Sequence, residues 1–434
     1  MADLHEAPSP RGPPGRASRR RELGFRAFAL GLGLAGGVLA MELLARLALT
    51  DFYTCDPVLG WRFSPGTTGM KLDRRLEYAA YTRINTAGFR DLERSPEKPP
   101  GTVRVVLLGD SMLAGLQVPL EQGLAQRLEV SLNRGDETRY EVVNCATDGY
   151  GTAQAWLAYR ERCRRYQPDL VLLGFFASND VLDNYWDARL LNHPLARKCG
   201  RAYFELRDGK LAPVSDGLIG ARPSAFPLLE RSYLYQLVAP VREPERDGAW
   251  LRANAVFRSE YGPELQAAWG VTRELLLTLD REVRESGARF GVLLVPSRFE
   301  VDPEAKRQAK GHMDYERPHR LLREFLAERG LAHLDLAPSL REAAARPDAA
   351  PLYFRRDMHW TALGNEVAGG LVARWVVERY SPSESEPAST AGPELTPPAE
   401  PAPERSSTTG PPRGPLSALG IRSATEPPSP PAPT

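Results

Sequence analysis

Three short segments of the chain contain residue types that together could carry out nucleophilic catalysis. Gly109-Asp110-Ser111 offers a hydroxyl, Ser178-Asn179-Asp180 offers a side-chain amide, and Asp357-Met358-His359-Trp360 offers an imidazole two residues from a carboxylate. These are the parts of a site with a nucleophile, an oxyanion donor and a general base. Each segment alone is a weak signal, since Gly-Asp-Ser occurs by chance in roughly one chain in ten of this length. Their order and spacing carry the inference.

Ser111 and His359 are the candidate nucleophile and general base. Ser111 follows an apolar run, so its hydroxyl and its backbone N–H would both lie at the end of a strand. Of the six histidines, only His359 lies after the last strand region, near a carboxylate and just before a helix. Residues i and i+2 of an extended backbone point the same way, so we expect Asp357 to accept from one imidazole nitrogen while the other faces Ser111. The alternatives are a simple turn around Asp110 and a surface Asp–His pair at a helix start.

Gly149 and Asn179 are candidate oxyanion donors in addition to Ser111. Gly149 lies between the second apolar run and a helix that Thr152 could cap, and a glycine lets backbone approach a ligand closely. Asn179 follows the third apolar run, so its amide could be a third donor. The alternatives are a loop glycine with positive φ and an Asx turn.

The other histidines and the four cysteines indicate neither a metal site nor a cofactor. No cluster of His, Cys or carboxylates has the spacing of metal ligands, and we expect no cofactor. His333 beside Asp335 is expected to be structural. The cysteines are too widely spaced for a redox motif and too few for a disulfide scaffold, so we expect buried thiols or a single bridge. They are Cys55, Cys145, Cys163 and Cys199.

Five apolar runs alternate with amphipathic helices along the middle of the chain. The runs are short and rich in β-branched residues, as buried parallel strands are. They cover residues 103–108, 141–145, 170–176, 290–295 and 333–336. Strands alternating with helices predict an α/β fold in which a parallel five-stranded sheet is covered on both faces. Ligands bind such sheets at the carboxyl ends of the strands, where the candidate groups are expected to meet.

The amino-terminal region predicts a membrane anchor. Arginines cluster before an apolar stretch over residues 27–49, which is long enough to span a membrane as a signal-anchor helix. Glu42 and Arg46 interrupt this stretch four residues apart and could pair on one helix face. The positive-inside rule leaves residues 1–26 in the cytoplasm and places the catalytic part in the periplasm or outside the cell. A cleaved signal peptide is the rival interpretation.

Length and composition divide the rest of the chain. The 434 residues, 42% hydrophobic and 26% charged, suit one large catalytic domain at about residues 101–380. Residues 50–100 are predicted to be an elaboration of that domain, and about 187–261 an insertion over the carboxyl edge of the sheet. Residues 381–434, rich in Pro, Ser and Thr, predict a disordered tail. A net charge of +1 without recurrent basic blocks argues against nucleic-acid binding.

At these positions the chain resembles the SGNH hydrolases, the GDSL-type esterases, over about residues 101–380. The matching blocks are Gly109-Asp110-Ser111, Asp148-Gly149-Tyr150-Gly151, Ser178-Asn179-Asp180 and Asp357-Met358-His359. The resemblance implies a flavodoxin-like three-layer α/β/α sandwich. It also implies the family roles: Ser111 as nucleophile, His359 as general base and Asp357 as orienting acid. The implied oxyanion hole is formed by Ser111, Gly149 and Asn179.

Two details refine the resemblance. Only Met358 separates Asp357 from His359, where the commoner pattern has two residues. This spacing, with Trp360 following, is similar to that of alginate-type O-acetyltransferases, so hydrolysis and acyl transfer both remain open. The segment over residues 83–91, Arg-Ile-Asn-Thr-Ala-Gly-Phe-Arg-Asp, is similar to one that precedes the catalytic block in membrane-anchored members.

The resemblance and the predicted topology together indicate a membrane-anchored serine esterase that acts outside the cytoplasm. We expect an acyl-ester substrate, for example O-acetyl groups of a glycan, and an acyl-serine intermediate. The alternative is an O-acetyltransferase that modifies an exopolysaccharide or cell-envelope glycan with the same residues. A third hypothesis is a non-catalytic glycan-binding or assembly protein. Expected partners are the substrate, the membrane through the amino-terminal helix and polysaccharide-assembly proteins, but no nucleic acid.

Overall fold

The computed structural model describes most of the chain. The described residues are 16–48, 50–73, 75–135, 138–185, 193–220, 232–238, 255–308 and 313–380. The chain divides into two compact units. The smaller comprises Met1–Leu49 and Ser224–Pro240, and the larger comprises the remainder, with the sheet and the candidate site. The predicted tail, residues 381–434, lies outside the described residues.

A five-stranded parallel sheet forms the centre of the larger unit. The described strands are β1 Tyr53–Asp56, β2 Gly60–Phe63, β3 Thr68–Leu72, β4 Ala79–Arg83, β5 Thr102–Leu108, β6 Arg139–Asn144, β7 Leu170–Phe176, β8 Phe204–Arg207, β9 Lys210–Pro213, β10 Arg289–Val295 and β11 His333–Asp335. The order across the sheet is β11-β10-β7-β5-β6. All four pairings are parallel, with Val106 of β5 opposite Val143 of β6 and Val171 of β7. The five predicted strands are the five strands of this sheet.

The two faces of the sheet carry separate hydrophobic layers. Val106 and Leu108 of β5 belong to one layer, which includes the helix Pro263–Glu285. Val105 and Leu107 belong to the other, with the helix Ala362–Tyr380. Side chains alternate along a strand, so a run that is apolar at every position can bury both faces. The predicted three-layer α/β/α sandwich is confirmed.

The α-helices of the larger unit alternate with the strands of the sheet, as predicted. They are Ser111–Ala114, Leu124–Leu132, Thr152–Ala158, Asp180–Asp183, Pro194–Cys199, Pro263–Glu285, Arg298–Val301, Pro303–Gln308, Arg317–Glu328, Ala337–Ala344 and Ala362–Tyr380. One predicted cap is wrong. Gly151, not Thr152, precedes the first turn of its helix, and the Gly151 N–H donates to the Gln154 side chain at 3.2 Å. The Asn184 side chain accepts the Ala153 N–H at 3.0 Å, so a residue distant in sequence satisfies the first turn that a hydroxyl cap would otherwise satisfy.

Within the described residues, three small antiparallel hairpins accompany the sandwich. β1 pairs with β2 and β3 with β4, both within the elaboration over residues 50–100. β8 pairs with β9 within the predicted insertion. These segments lack the long periodic runs of the core, so the sequence indicated their presence but not their structure.

Two disulfides cross-link segments of the larger unit. Cys55 of β1 is bonded to Cys199, and Cys145, directly after β6, is bonded to Cys163. The expectation of buried thiols or a single bridge is therefore wrong. The partners are 144 and 18 residues apart in sequence, and only the tertiary fold brings them together.

The smaller unit contains the amino-terminal helix Arg16–Ala48 and a short helix, Tyr233–Val238. Among the described residues, the stretch Arg20–Arg46 is long and apolar enough to cross a membrane, a test that a signal sequence would also pass. The predicted pair forms, with Arg46 Nε 2.8 Å from Glu42 Oε1. Glu42 also accepts the Ser232 hydroxyl at 2.8 Å, so the two charged side chains that interrupt the apolar stretch both have partners.

Candidate active site

Ser111 begins a short helix directly after β5. Gly109, two residues earlier, has a φ of +151°, and a Cβ there would come within 3.0 Å of the Gly174 carbonyl oxygen. Asp110 caps the helix by accepting a hydrogen bond from the Met112 N–H at 2.9 Å. The tight strand-to-helix turn needs the glycine, and it places the Ser111 hydroxyl at the carboxyl end of the sheet.

The end of the 83–91 segment binds the helix that begins at Ser111 on its buried side. The fully buried Arg90 donates to the Ala114 carbonyl at 3.1 Å, and burial lowers the pKa of this guanidinium to about 10. Asp91 accepts a backbone N–H from β6 at 3.1 Å, and its burial raises its pKa to about 6. Arg90 and Asp91 therefore position the nucleophile turn and the end of β6 through hydrogen bonds to their backbones.

Three of the predicted residues form a connected chain of hydrogen bonds. His359 Nε2 lies 2.7 Å from Ser111 Oγ, and His359 Nδ1 lies 2.7 Å from Asp357 Oδ1. The hydroxyl, the imidazole and the carboxylate are thus in the order that nucleophilic catalysis by serine requires. The imidazole and the carboxylate are partly exposed, so a substrate can approach them.

The chain reaches His359 by a route that differs from the prediction. Met358, between the acid and the base, has a φ of +69° and is left-handed, so the expected extended geometry is wrong. A turn brings the Asp357 and His359 side chains together, and Asp357 Oδ1 also accepts the His359 N–H at 3.4 Å. In addition, the helix Ala337–Ala344 follows β11, so His359 does not come directly after a strand.

The acid and the base shift each other's titration. Burial lowers the pKa of His359, but the hydrogen bond and charge of Asp357 outweigh it and the net pKa is raised. Burial raises the pKa of Asp357, but the hydrogen bond and charge of His359 make the net pKa lower than usual. Near neutral pH, Asp357 is therefore a carboxylate, which would stabilise an imidazolium at His359.

Gly149 follows β6 in a conformation that favours glycine. Its φ is +72°, and a Cβ would lie 2.3 Å from Nε2 of His193. The His193 ring stacks on Trp61 with centroids 5.1 Å apart, and the Gly149 carbonyl accepts a hydrogen bond from the buried Arg201. His193 and Arg201 come from the predicted insertion, so this part of it lies at the carboxyl edge of the sheet.

Asn179 follows β7, as predicted, but its amide is already engaged. Asn179 Nδ2 donates to Asp183 Oδ2 at 3.1 Å. Burial raises the pKa of Asp110 to about 7, and a hydrogen bond from Asn179 opposes that shift. The amide therefore lies among carboxylates beside the nucleophile turn. Its role as an oxyanion donor remains a prediction.

The elaboration over residues 50–100 contributes groups that the sequence did not single out. Glu77 accepts the Asp357 N–H at 2.7 Å, and the Tyr78 hydroxyl donates to Asp357 Oδ2 at 3.4 Å. The Tyr53 hydroxyl donates to the side chain of Asp148, next to Gly149. These contacts span 95 to 280 residues, and no local pattern could have revealed them.

The other histidine and carboxylate pairs have structural partners. His333 Nδ1 lies 2.9 Å from the Leu331 carbonyl, and Asp335 forms an ion pair with Arg323 at 2.6 Å. The buried His319 lies 2.6 Å from Glu300, where burial lowers its pKa but the Glu300 charge raises it overall. No group of three or more His, Cys, Asp or Glu within the part of the chain that the structure describes could hold a metal ion.

Residues 248–401 match the family model described as SGNH hydrolase-like domain, acetyltransferase AlgX. The match covers about a third of the chain and includes Asp357 and His359 but not Ser111. The predicted resemblance to the SGNH hydrolases is confirmed. So is the prediction of an enzyme that acts on acyl esters. A comparison with curated proteins finds no match.

The solved structures that match this chain include the following three. A lipase/acylhydrolase from Enterococcus faecalis is 14% identical, with 65% of this chain and 100% of that chain covered and a TM-score of 0.35. An acetyl xylan esterase, AlAXEase, is 11% identical, with 63% and 100% covered and a TM-score of 0.36. TesA is 14% identical, with 63% and 97% covered and a TM-score of 0.34. At these identities and TM-scores, the likenesses assign no substrate to this chain.

Proposed function

We propose that this protein is a membrane-anchored, extracytoplasmic serine esterase that removes acyl groups, in particular O-acetyl groups, from a glycan. The observation that carries the catalytic part of the proposal is the hydrogen-bonded series Ser111, His359 and Asp357, with both contacts at 2.7 Å. A serine alone is a weak nucleophile, and a base within hydrogen-bond reach activates it. The triad and the SGNH-type match support the same reaction class, acyl transfer through serine.

In the acylation step, Ser111 Oγ attacks the carbonyl carbon of the ester while His359 Nε2 takes the hydroxyl proton. The carbonyl oxygen becomes an oxyanion, for which the N–H groups of Ser111 and Gly149 and the side-chain amide of Asn179 are the proposed donors. The intermediate collapses, the bond to the alcohol oxygen breaks, and the imidazolium returns its proton to that oxygen. The alcohol leaves and an acyl-serine remains, while Asp357 stabilises the imidazolium throughout.

In the deacylation step, water replaces the alcohol. His359 takes a proton from the water, whose oxygen attacks the acyl carbon, and collapse breaks the bond to Ser111 Oγ. The imidazolium proton returns to Ser111, and a carboxylic acid is released. The partly exposed base leaves room for water to act as the acceptor in this step.

Two observations support an extracytoplasmic site. Disulfides persist mainly in oxidising compartments, and the larger unit has two, Cys55–Cys199 and Cys145–Cys163. The arginines before the apolar helix favour a cytoplasmic amino terminus and an exported remainder. Alkaline phosphatase fused after Thr50 should be active, and fused before Phe25 it should be inactive. The reverse pattern would contradict the proposed location.

The decisive experiment on the chemistry combines labelling with product analysis. Full-length protein should react with a fluorophosphonate at Ser111, identified by peptide mass spectrometry, and should release acetate from p-nitrophenyl acetate and from an O-acetylated glycan. His359→Ala should abolish both reactions. A wild-type protein that is neither labelled nor active on any acyl ester would overturn the proposal.

A second candidate is an O-acetyltransferase, and the description of the matching family, which includes an acetyltransferase, favours it. The acyl-serine would form as above, and a polysaccharide hydroxyl would then attack in place of water. Incubation of the enzyme with an acetyl donor and an unacetylated glycan separates the two candidates. Acetate release that is unchanged by the glycan supports the esterase, whereas acetylated glycan formed at the expense of acetate supports the transferase.

A further inference from the structure

We propose that Glu77 and Tyr78, in the turn between β3 and β4, are positioning residues for Asp357, so that this hairpin is a working part of the active site. The inference rests on the proposed function and extends it to the elaboration that precedes the sandwich. The supporting contacts link residues about 280 positions apart. They involve the carboxylate of Asp357 and its backbone N–H.

Glu77 anchors the backbone immediately before the acid. Its carboxylate accepts the Arg356 N–H at 3.0 and 2.7 Å from its two oxygens, and the Asp357 N–H at 2.7 Å. Hydrogen bonds to an ionised acceptor are shorter and stronger than those between neutral groups. Glu77 is itself held by Asp73, which accepts the Glu77 N–H at 3.1 Å and fixes the hairpin turn.

The anchored backbone leads into the left-handed residue. Met358 has a φ of +69°, which is unfavourable for a side chain with a Cβ, and its side chain is 41% exposed, so packing does little to hold it. With a single residue between acid and base, that turn is what directs the Asp357 carboxylate at His359. The Glu77 carboxylate fixes the two N–H groups that precede the turn and so keeps it in this conformation.

Tyr78 orients the carboxylate itself. Asp357 Oδ1 accepts from His359 Nδ1, and Oδ2 accepts from the Tyr78 hydroxyl at 3.4 Å, so each oxygen has its own donor. The Tyr78 ring packs against Phe354 with centroids 5.2 Å apart. Burial and the nearby Asp357 charge raise the pKa of Tyr78 well above its usual range, so the hydroxyl stays a donor at any pH that the enzyme meets.

The test compares Glu77→Ala, Glu77→Gln and Tyr78→Phe in the full-length protein with Glu93→Ala as a matched control. Glu93 accepts the Thr86 N–H at 2.8 Å, which is the same kind of carboxylate-to-backbone contact elsewhere in the elaboration. We expect Glu77→Ala to lower kcat on p-nitrophenyl acetate about 10- to 100-fold with KM nearly unchanged, because misplacing a catalytic group by about 1 Å costs up to about 10²-fold. Glu77→Gln keeps an acceptor and should restore part of the rate. Tyr78→Phe should have a smaller effect, and Glu93→Ala none.

A structural role alone would lower Tm without these kinetic changes. The pH dependence of kcat/KM therefore serves as a second readout, and we expect the acid limb of Glu77→Ala to move to lower pH as the contact between Asp357 and His359 loosens. Glu77→Ala with wild-type kcat and an unmoved acid limb would overturn the inference while leaving the proposed esterase intact. So would an equal loss in Glu93→Ala.

A readout independent of turnover separates the two proposals. The His359 ring can be titrated by NMR, with His359→Gln used to assign its signals, in wild type and in Glu77→Ala. A lower His359 pKa in Glu77→Ala supports the positioning role even if the wild type hydrolyses no ester, a result that would refute the proposed function alone. An unchanged His359 titration would refute the positioning role.

Discussion

The nucleophile and the acid–base pair are built by different means. The turn that carries Ser111 is packed into the core, because Met112, Leu113 and Ala114 are all buried and Arg90 holds the helix from below. The loop that carries Asp357 and His359 is open, with Met358 41% exposed. Its own backbone hydrogen bonds are supplemented by contacts to a hairpin far away in sequence.

The difference shows how each part is made rigid. The nucleophile turn inherits its geometry from a buried strand, a glycine and a local helix cap, which are all adjacent in sequence. The acid–base loop contains a left-handed residue that no buried side chains support. It depends on hydrogen bonds that its N–H groups donate to Glu77 and on one that Asp357 accepts from Tyr78. Substitution of the nucleophile should therefore abolish the covalent reaction. Substitutions in the acid–base loop or its contacts should misalign the acid and the base.

The largest effect is expected at the nucleophile. Ser111→Ala should lower kcat by about 10⁶ or below detection, because the covalent route is lost. The melting temperature should stay near that of wild type, since the hydroxyl contributes little packing. Ester hydrolysis with a folding control by circular dichroism tests this, with Ser286→Ala as the comparison. Residual turnover near wild type would place the nucleophile elsewhere.

The next effect tests the loop. Asp357→Asn should lower kcat by about 10⁴, as it does when the triad of a serine protease loses its acid, because the amide favours the wrong imidazole tautomer. Asp335→Asn should leave kcat unchanged, since Asp335 is paired with Arg323 at 2.6 Å. Rates on p-nitrophenyl acetate decide between them. A damaging Asp335→Asn with a benign Asp357→Asn would show that the acid has been misassigned.

A smaller loss is expected at the third oxyanion candidate. Asn179→Ala should lower kcat by about 10² to 10³, which is typical of losing one oxyanion donor. The Asn179 amide has two N–H groups, and it already donates to Asp183. The prediction therefore requires that the amide also donate to the oxyanion. Wild-type kcat in Asn179→Ala would show that the oxyanion hole consists of backbone N–H groups alone. The nucleophile region would then depend on backbone geometry, whereas the acid–base loop depends on side-chain hydrogen bonds.

Gly149 links backbone geometry to the site. Gly149→Ala adds a Cβ 2.3 Å from the His193 ring at a φ of +72°, so we expect a loss of about 1–3 kcal/mol in the free energy of unfolding. Gly135→Ala is the matched control, because a Cβ at Gly135 would meet nothing within 4 Å. Denaturant melts measure both. Equal stability of the two variants would mean that the loop readily moves away from His193.

The smallest effect is a shift in pH dependence. His359 must be neutral to accept a proton, and its pKa is raised from 6.5, so activity should fall as pH drops through a value above 6.5. The midpoint of the acid limb of kcat/KM measures this value. Loosening the contact with Asp357 should move the midpoint to lower pH. A wild-type midpoint at or below 6.5 would mean that Asp357 does not stabilise the imidazolium.

Local patterns in the sequence were enough to predict the sandwich and the candidate residues. Runs that are apolar at every position must be buried on both faces, and helices of 3.6 period must cover them, so the five strands and their order along the chain follow from neighbouring residues. The four blocks lie at strand ends or before a helix, where a parallel sheet gathers functional groups. Ser111, Gly149 and Asn179 were placed by this reasoning alone.

Contacts between distant residues were decided by the tertiary structure. Cys55 bonds to Cys199, Glu77 binds the backbone at Asp357, and His193 covers Gly149, yet none of these pairs shares a local period. Met358 adopts a left-handed conformation, which no propensity of methionine predicts. The periodicity of apolar residues depends only on residues that are close together in the sequence. The acid–base loop is instead fixed by hydrogen bonds that form only once the hairpin has folded against it.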